Sequence, residues 1–402
     1  MITDLPGIEN LDVNRKRVIV RVDFNVPIDN KTGQIGDSGR IEKAIPTINY
    51  LLESNAAVIL ITHLGRPKSH REKSLSTKIL IEKLRELIQD TDIIQAPFTT
   101  PEKLEKLSSK LEPGQILLLE NIRYYPEETS DESKVRKAFA KKMARLGDLI
   151  VNDAFGACHR AHTTVKELPE ILPSYAGFLL KKEIQILSTI LNNPARPFVA
   201  IIGGAKVSSK MAVLSNLVTR VDSIIIGGGM AYTFLKSKGL KMGDSLVEDE
   251  HLSQAFQIND KANFNETGFY LPDDHTIASE FSPDAKVKAS GLEIPEGWMG
   301  MDIGPKTIKK FEKIIKDAKT ILWNGPMGVF EMEPFSKGTM SIAKSLSKNK
   351  GTTIVGGGDS MSALKKSGLE DSITHISTGG GATLEFLEGK KLPGIQALLK
   401  KV

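Results

Sequence analysis

The stretch Phe198-Val199-Ala200-Ile201-Ile202-Gly203-Gly204-Ala205-Lys206 joins an apolar, β-branched run to a glycine turn and a lysine. Such an unbroken apolar run reads as a strand buried on both faces, as in a parallel sheet. A glycine turn directly behind it lets backbone amides approach a phosphate closely. The same form recurs at Ile226-Gly227-Gly228-Gly229, Trp323-Asn324-Gly325-Pro326, Val355-Gly356-Gly357-Gly358-Asp359-Ser360 and Ser377-Thr378-Gly379-Gly380-Gly381. In open α/β sheets ligands bind outside the carboxyl ends of the strands, where these turns fall. One turn is explained by the packing of a tight βα connection. Five on one sheet edge point to a ligand.

Outward from this stretch, apolar runs alternate with amphipathic segments, the pattern of βα units around a parallel sheet. Strands are expected over 17–24, 57–63, 92–98, 115–121 and 149–154 on one side of it. On the other side they are expected over 223–226, 268–271, 320–323, 352–355 and 375–377. Residues 175–191 carry Leu179, Leu180, Ile184, Leu187 and Leu191 at helical spacing, ahead of Asn193-Pro194-Ala195-Arg196-Pro197. The expected fold is therefore α/β, two Rossmann-like domains, each a parallel sheet flanked by helices, joined by an interdomain helix and hinge. The domains divide as 1–185 and 186–390, with a tail, 391–402, packing back near the hinge or the N-terminal domain.

Composition agrees with two well-buried domains. A chain of 402 residues exceeds one ordinary core, and 40% hydrophobic with 26% charged residues is a globular balance. The net charge of +5 is small, and no basic block suggests nucleic acid. No run approaches a membrane span, and the opening residues lack a signal-peptide pattern. The single cysteine, Cys158, excludes an internal disulfide framework and fits a reducing compartment. The expectation is a cytoplasmic protein with no nucleic-acid or membrane partner.

The two halves differ in chemistry. All thirteen arginines lie at or before Arg220, whereas 25 of 34 glycines lie beyond residue 200. Arg40, Arg66, Arg123 and Arg160 each follow a strand end or turn, and Asp23 and Asn25 leave the first strand at the same expected edge. Such a ring of planar donors suits a small molecule with several negative oxygens. His159 and His162 flank Arg160, but no cysteine or carboxylate pattern completes a zinc site, so an anion is the better match. In the second half there is neither a Walker loop nor a dinucleotide fingerprint. Lys206 and Lys210, four apart after a strand, are expected on one helix face near its N-terminus, sharing phosphates with free amides. Asp359 is expected either to cap the following helix or to hold magnesium beside phosphates.

At these residues the chain resembles the phosphoglycerate kinase family from the first strand to the tail. The match rests on Arg21-Val22-Asp23-Phe24-Asn25-Val26-Pro27, His63-Leu64-Gly65-Arg66-Pro67, Asn152-Asp153-Ala154-Phe155-Gly156, Gly203-Gly204-Ala205-Lys206-Val207, Asn324-Gly325-Pro326-Met327-Gly328-Val329-Phe330-Glu331 and Gly356-Gly357-Gly358-Asp359-Ser360. The resemblance implies reversible transfer of the acyl phosphate of 1,3-bisphosphoglycerate to MgADP, with hinge-bending closure. It implies a glycerate site of Asp23, Phe24, Asn25, Arg40, His63, Leu64, Gly65, Arg66, Arg123 and Arg160. It implies a nucleotide site of Lys206, Lys210, Gly300, Asn324, Glu331, Gly357, Gly358, Asp359 and Ser360, with Glu331 at the ribose and Asp359 at Mg2+. Arg40 and Lys206 would contact the transferring group, and Gly380 and Gly381 would add backbone donors. Ser209 stands where the family usually has an acidic residue, which puts the orientation of Lys210 in question. Two other classes are open. A non-catalytic two-lobed anion- or nucleotide-binding protein would share the architecture, and a nicotinamide-dependent dehydrogenase is disfavoured by the missing fingerprint.

Overall fold

In the computed structural model, which describes residues 5–29, 32–70 and 72–399, alternate residues of the first strands enter different cores. The N-terminal unit contains β1 (Arg17–Arg21), α1 (Gly39–Glu53), β2 (Ala57–Ile61), α2 (Leu80–Leu87), β3 (Ile93–Gln95), α3 (Pro101–Ser108), β4 (Ile116–Leu118), α4 (Ser133–Met143), β5 (Leu149–Asn152), β6 (Ser174–Ala176) and the start of α5 (Phe178–Asn192). Val18, Val20, Val58 and Leu60 join one apolar cluster, while Ile19, Ile59 and Ile61 join another. This is the period of two that puts successive strand residues on opposite sheet faces. The sheet is parallel, in the order β3-β4-β2-β1-β5-β6.

The second unit contains β7 (Phe198–Ile202), α6 (Met211–Leu217), β8 (Ser223–Ile226), α7 (Met230–Ser237), α8 (Leu252–Phe264), β9 (Gly268–Tyr270), β10 (His275–Ala278), β11 (Val287–Ser290), β12 (Met299–Ile303), α9 (Pro305–Asp317), β13 (Thr320–Asn324), α10 (Lys337–Lys348), β14 (Thr352–Gly356), α11 (Gly358–Ser367), β15 (His375–Ile376) and α12 (Gly381–Leu387). Its parallel sheet runs β15-β14-β13-β7-β8-β9. The chain builds outward from β7 to β9 and then from β13 to β15, so β7 and β13 flank the point where strand order reverses. The opening stretch thus lies at the crevice of the sheet.

The two units divide between Ser188 and Thr189, inside α5, and the tail from Lys391 belongs with the first. There α13 (Pro393–Leu399) packs so closely that a Cβ on Gly394 would lie 2.7 Å from Val165 Cγ1, and Gly394 N donates to Cys158 O at 3.0 Å. Cys158 is fully buried and burial pushes its thiol up to about 12, a packing residue rather than a nucleophile.

Two differences from the sequence expectation have local causes. The helix expected from residue 175 starts at Phe178, because Ser174–Ala176 pairs with β5 as an edge strand. Its first turn is held by other elements, with Phe178 N donating to Thr47 Oγ1 and Leu180 N to Asp153 Oδ1, both at 3.0 Å. The antiparallel ribbon β11-β10-β12 was not anticipated. Its outer strand, Val-Lys-Ala-Ser, is largely exposed and gives no apolar run to detect.

Candidate functional site

In the first unit the side chains expected to bind an anion converge. Arg40 Nη1 donates to Asp23 Oδ2 at 3.0 Å and to Asn25 O at 3.2 Å. Asn25 Oδ1 accepts from Gly65 N at 2.8 Å, and Gly65 O accepts from Arg123 Nη1 at 2.6 Å. The turn after β2 is thereby tied to the loops after β1 and β4. Arg66, Arg123, Arg160 and His162 line an open cavity of about 370 Å3. Arg123 Nε and His162 Nδ1 are buried without a hydrogen-bond partner among the described residues. Unsatisfied buried donors beside three guanidinium groups are what an oxyanion would complete.

The electrostatics agree. Burial holds the His63 imidazole well below its ordinary value, reinforced by Arg21, Arg123, His162 and Arg40. His162 is depressed to about 3 by burial and then by Arg123, Arg21 and Arg160. Burial also lowers the Arg123 guanidinium to about 10, with Arg21 adding to the effect. A cluster so crowded with cations favours any ligand that carries negative charge.

Phe24 and Leu64, expected at this site, are fully buried in an apolar cluster. Their side chains are packing groups, and Phe24 N is spent on Thr62 Oγ1 at 2.9 Å. Thr129, which lines the cavity, was outside the expected set, and His162, read as an anion-binding histidine beside Arg160, was not among the expected glycerate residues. For His162 the signal was available in its spacing from Arg160.

In the second unit the glycine turns are stitched together through backbone. Gly203 N donates to Asn324 O and Gly204 N to Pro326 O, both at 3.0 Å, and Gly228 N to Met327 O at 2.9 Å. A Cβ on Gly203 would lie 2.1 Å from Pro326 O, so this approach admits no side chain. Asn324 Nδ2 donates to Gly356 O at 2.9 Å, and Gly325 N to Ser360 Oγ at 2.6 Å. A cavity of about 450 Å3 above these turns is lined by Lys206, Lys210, Gly357, Asp359, Gly380 and Gly381 among others.

Lys206 and Lys210 line that cavity but do not share a helix face. Lys206 lies in the loop, and Lys210 is the residue before α6. Lys210 Nζ donates to Asn324 Oδ1, whereas Ser209 Oγ donates to Lys206 O at 2.9 Å. Residue 209 therefore does not orient Lys210. Burial brings the Lys210 ammonium down to about 8, against the pull of Asp359 and Glu388. Asp359 is exposed in the first turn of α11, whose cap position is Gly357, so the capping alternative fails. An exposed carboxylate without an ion-pair partner among the described residues, beside a phosphate-sized cradle, fits one protein ligand of a magnesium ion that keeps waters and phosphates as the rest.

A second, more apolar cavity of about 480 Å3 shares Gly204, Ala205 and Asp359 with the first. Its lining includes Tyr232, Leu246, Met299, Gly300, Val329 and Glu331. A Cβ on Gly300 would lie 2.2 Å from Tyr232 Oη, so the glycine lets the ring pack flat against β12. Leu246 and Phe281 are 47% and 65% exposed, so this wall offers apolar surface to a ligand. Sequence reading missed Tyr232, Leu246, Phe281 and Met299, because apolar lining carries no motif. Of this wall only Gly300 and Glu331 were expected.

Asp302 holds the loop after β13 in place. It accepts from Gly338 N at 2.7 Å and Ile303 N at 2.9 Å, and Cβ atoms on Gly328 and Gly338 would lie 2.3 and 2.2 Å from its Oδ1. Burial pushes its carboxyl from 3.8 up to about 7. A raised carboxylate means that the folded state binds the extra proton, so this group's contribution to stability falls as pH rises through that interval. Wild type is expected to lose stability relative to Asp302→Asn between pH 4 and 7, by up to about 4 kcal/mol. Denaturant unfolding at several pH values checks this, and a pH-independent difference would contradict it.

Comparison with known proteins agrees with this geometry. The family model described as phosphoglycerate kinase matches residues 8–390. A phosphoglycerate kinase of Leptospira biflexa is 53% identical over 398 residues, covering 99% of both chains. One from Roseiflexus sp. is 49% identical, covering 97% of this chain and 98% of that one. Among solved structures, phosphoglycerate kinase from Coxiella burnetii aligns with a TM-score of 0.87 at 39% identity over 99% of both chains. That from Pyrococcus horikoshii aligns at 0.84 and 31% over 98% of both.

Proposed function

The chain belongs to the phosphoglycerate kinase family, and on that premise we propose how its residues divide the reversible transfer of a phosphoryl group between 1,3-bisphosphoglycerate and ADP. The observation that carries the division is the pair of built cavities. The one lined by Arg66, Arg123 and Arg160 suits the glycerate phosphate and carboxylate. The glycine-turn cradle with its adjoining apolar cavity suits the phosphates and base of a nucleotide.

Phosphoryl transfer asks for alignment and charge neutralisation more than covalent help. In the ATP-forming direction a phosphate oxygen of ADP attacks and a carboxylate leaves, so no strong base is required. Arg123, Arg66 and Arg160 bind the glycerate anions, with Asp23 and Asn25 orienting Arg40 toward the acyl phosphate. Lys206 meets the transferring group from the nucleotide side. Lys210, fixed by Asn324, neutralises nucleotide phosphates, and Gly380 and Gly381 add backbone donors. Glu331 accepts from the ribose. Asp359 would hold Mg2+, which when bound supplies charge neutralisation across the nucleotide phosphates.

Groups from two units acting on one phosphoryl group require hinge-bending closure, which also excludes water from the acyl phosphate. Small-angle scattering is expected to give a smaller radius with both substrates than with either alone. Equal radii in all states would refute closure. The enzyme is further proposed to be a cytoplasmic monomer. Among the described residues no helix is long and apolar enough to cross a membrane.

The function is tested by a coupled assay. Purified protein with MgATP and 3-phosphoglycerate should feed glyceraldehyde-3-phosphate dehydrogenase and oxidise NADH only when every component is present. Folded protein that binds both substrates without turnover would favour the binding-protein alternative.

A further inference from the structure

Behind the arginine cavity runs a buried chain of polar groups that the reaction scheme above does not use. Glu128 and Thr164 are fully buried, as is Arg21 at the end of β1. Glu128 accepts from Thr164 Oγ1 at 2.6 Å through Oε1 and from Thr164 N at 3.0 Å through Oε2. Thr164 Oγ1 in turn accepts from Arg21 Nε at 2.9 Å. Arg21 Nη2 lies 3.3 Å from His63 Nδ1, and Arg21 Nη1 is held by Val22 O.

The direction of every bond that Arg21 makes is forced. A guanidinium has donors only, so His63 Nδ1 must accept and carries no proton. The Thr164 hydroxyl has one proton, and having accepted from Arg21 it gives that proton to Glu128. The other contact of Nδ1, Asp23 Oδ1 at 4.0 Å, is too long for a hydrogen bond and does not compete. A neutral imidazole whose Nδ1 is an acceptor holds its proton on Nε2. Protonating Nδ1 would break the bond to Arg21 and place a cation among Arg21, Arg40, Arg123 and His162, opposed by Asp23 Oδ1 at 4.0 Å.

We infer that Glu128, Thr164 and Arg21 form a buried relay that fixes His63 as the neutral, Nε2-protonated tautomer, so that the ring presents one N–H donor to an oxygen of the glycerate substrate. Glu128 and Thr164 are positioning residues in this scheme. They touch no substrate, and their effect reaches it through Arg21 and His63. Burial raises the Glu128 carboxyl to about 7 against the pull of Arg21, and Glu128 shares with Asp23 the charge that faces the buried guanidinium. The inference about substrate rests on the assignment of His63 to the glycerate site. The tautomer itself does not.

The test is nitrogen-15 NMR of histidine-labelled, full-length protein, with the His63 ring identified by its loss in His63→Gln. In the free wild type, Nδ1 should show the shift of an unprotonated ring nitrogen and Nε2 that of a protonated one. Thr164→Val keeps the side-chain shape and removes the hydroxyl. It should give a mixture of tautomers and raise the KM for 3-phosphoglycerate about tenfold, the effect of losing one well-placed hydrogen bond to a charged group, with kcat changed much less. Thr164→Ser, which retains the hydroxyl, should restore both readouts. Glu128→Gln should shift the tautomer in the same sense as Thr164→Val, and serves if the valine variant does not fold. A wild-type ring protonated on Nδ1, or a folded variant with unchanged tautomer and KM, would overturn the relay. If the tautomer is as expected but saturating 3-phosphoglycerate leaves the His63 resonances unmoved, the relay stands and the site assignment fails.

Discussion

Replacing Lys206 or Arg40 by alanine is expected to lower turnover by roughly 10²–10³ while leaving the fold intact, the scale of losing one preorganised donor to developing charge. Lys206 is exposed and has no ion-pair partner among the described residues. Its removal therefore costs little stability, and the effect should appear in kcat. Arg40 is tied to Asp23 by a partly exposed ion pair, worth about 1 kcal/mol or less to the fold. That leaves its main role to ligand contact. The coupled assay supplies kcat and KM, and thermal unfolding supplies the control. A variant at full turnover would remove its residue from the mechanism. One that loses only KM would move the residue from transition-state to ground-state binding.

Gly325→Ala is expected to destabilise the second unit by roughly 3 kcal/mol and to lose nucleotide affinity, because two costs combine at this residue. Gly325 adopts φ +98, where an L side chain is strained by about 1–2 kcal/mol. Its Cβ would also lie 2.1 Å from Gly203 O, a backbone atom with nowhere to go, and overpacking of this kind costs about 1–3 kcal/mol. The displaced turn carries the N–H that Ser360 receives and the strand end that holds Lys210 through Asn324. Gly239→Ala is the control. It has φ +85 with nothing within 4 Å, so it should show the strain of about 1 kcal/mol alone. Denaturant unfolding and nucleotide titration separate the two cases. Equal losses would mean that strain dominates and that the contact between the turns is looser than described.

How much of this was legible beforehand depended on whether a feature is local in the chain. The strand-and-turn form of 198–206 marked the sheet edge, since burial on both faces demands an apolar run and a close approach demands glycine. All five glycine turns lie at strand ends of one sheet. Arg40, Arg66, Arg123 and Arg160 were separable as a group because each was expected at a strand end or turn, although Arg40 proves to open α1. Arg136, by contrast, is a structural residue paired with Glu167 at 2.8 Å, and only its buried partner reveals this. Lys206 and Lys210 both line the glycine-turn cavity, yet the helix face expected for them does not exist. Residues 207–210 form a turn, and the helix starts only at Met211.

The sequence by itself determined the α/β class, the two-unit organisation, the family and the positions of the cationic side chains. Each of these follows from periodicity, turn chemistry or residue type within a few positions. Tertiary structure alone decided which of those side chains are satisfied by protein and which are left for a ligand. It set the apolar wall beside the cradle, with Tyr232 packed over Gly300, and it joined Glu128 to His63 through Thr164 and Arg21. The reason is that hydrogen-bond satisfaction and desolvation are properties of neighbours in space. Thr164 lies 143 positions from Arg21 in the chain and 2.9 Å from it in the fold.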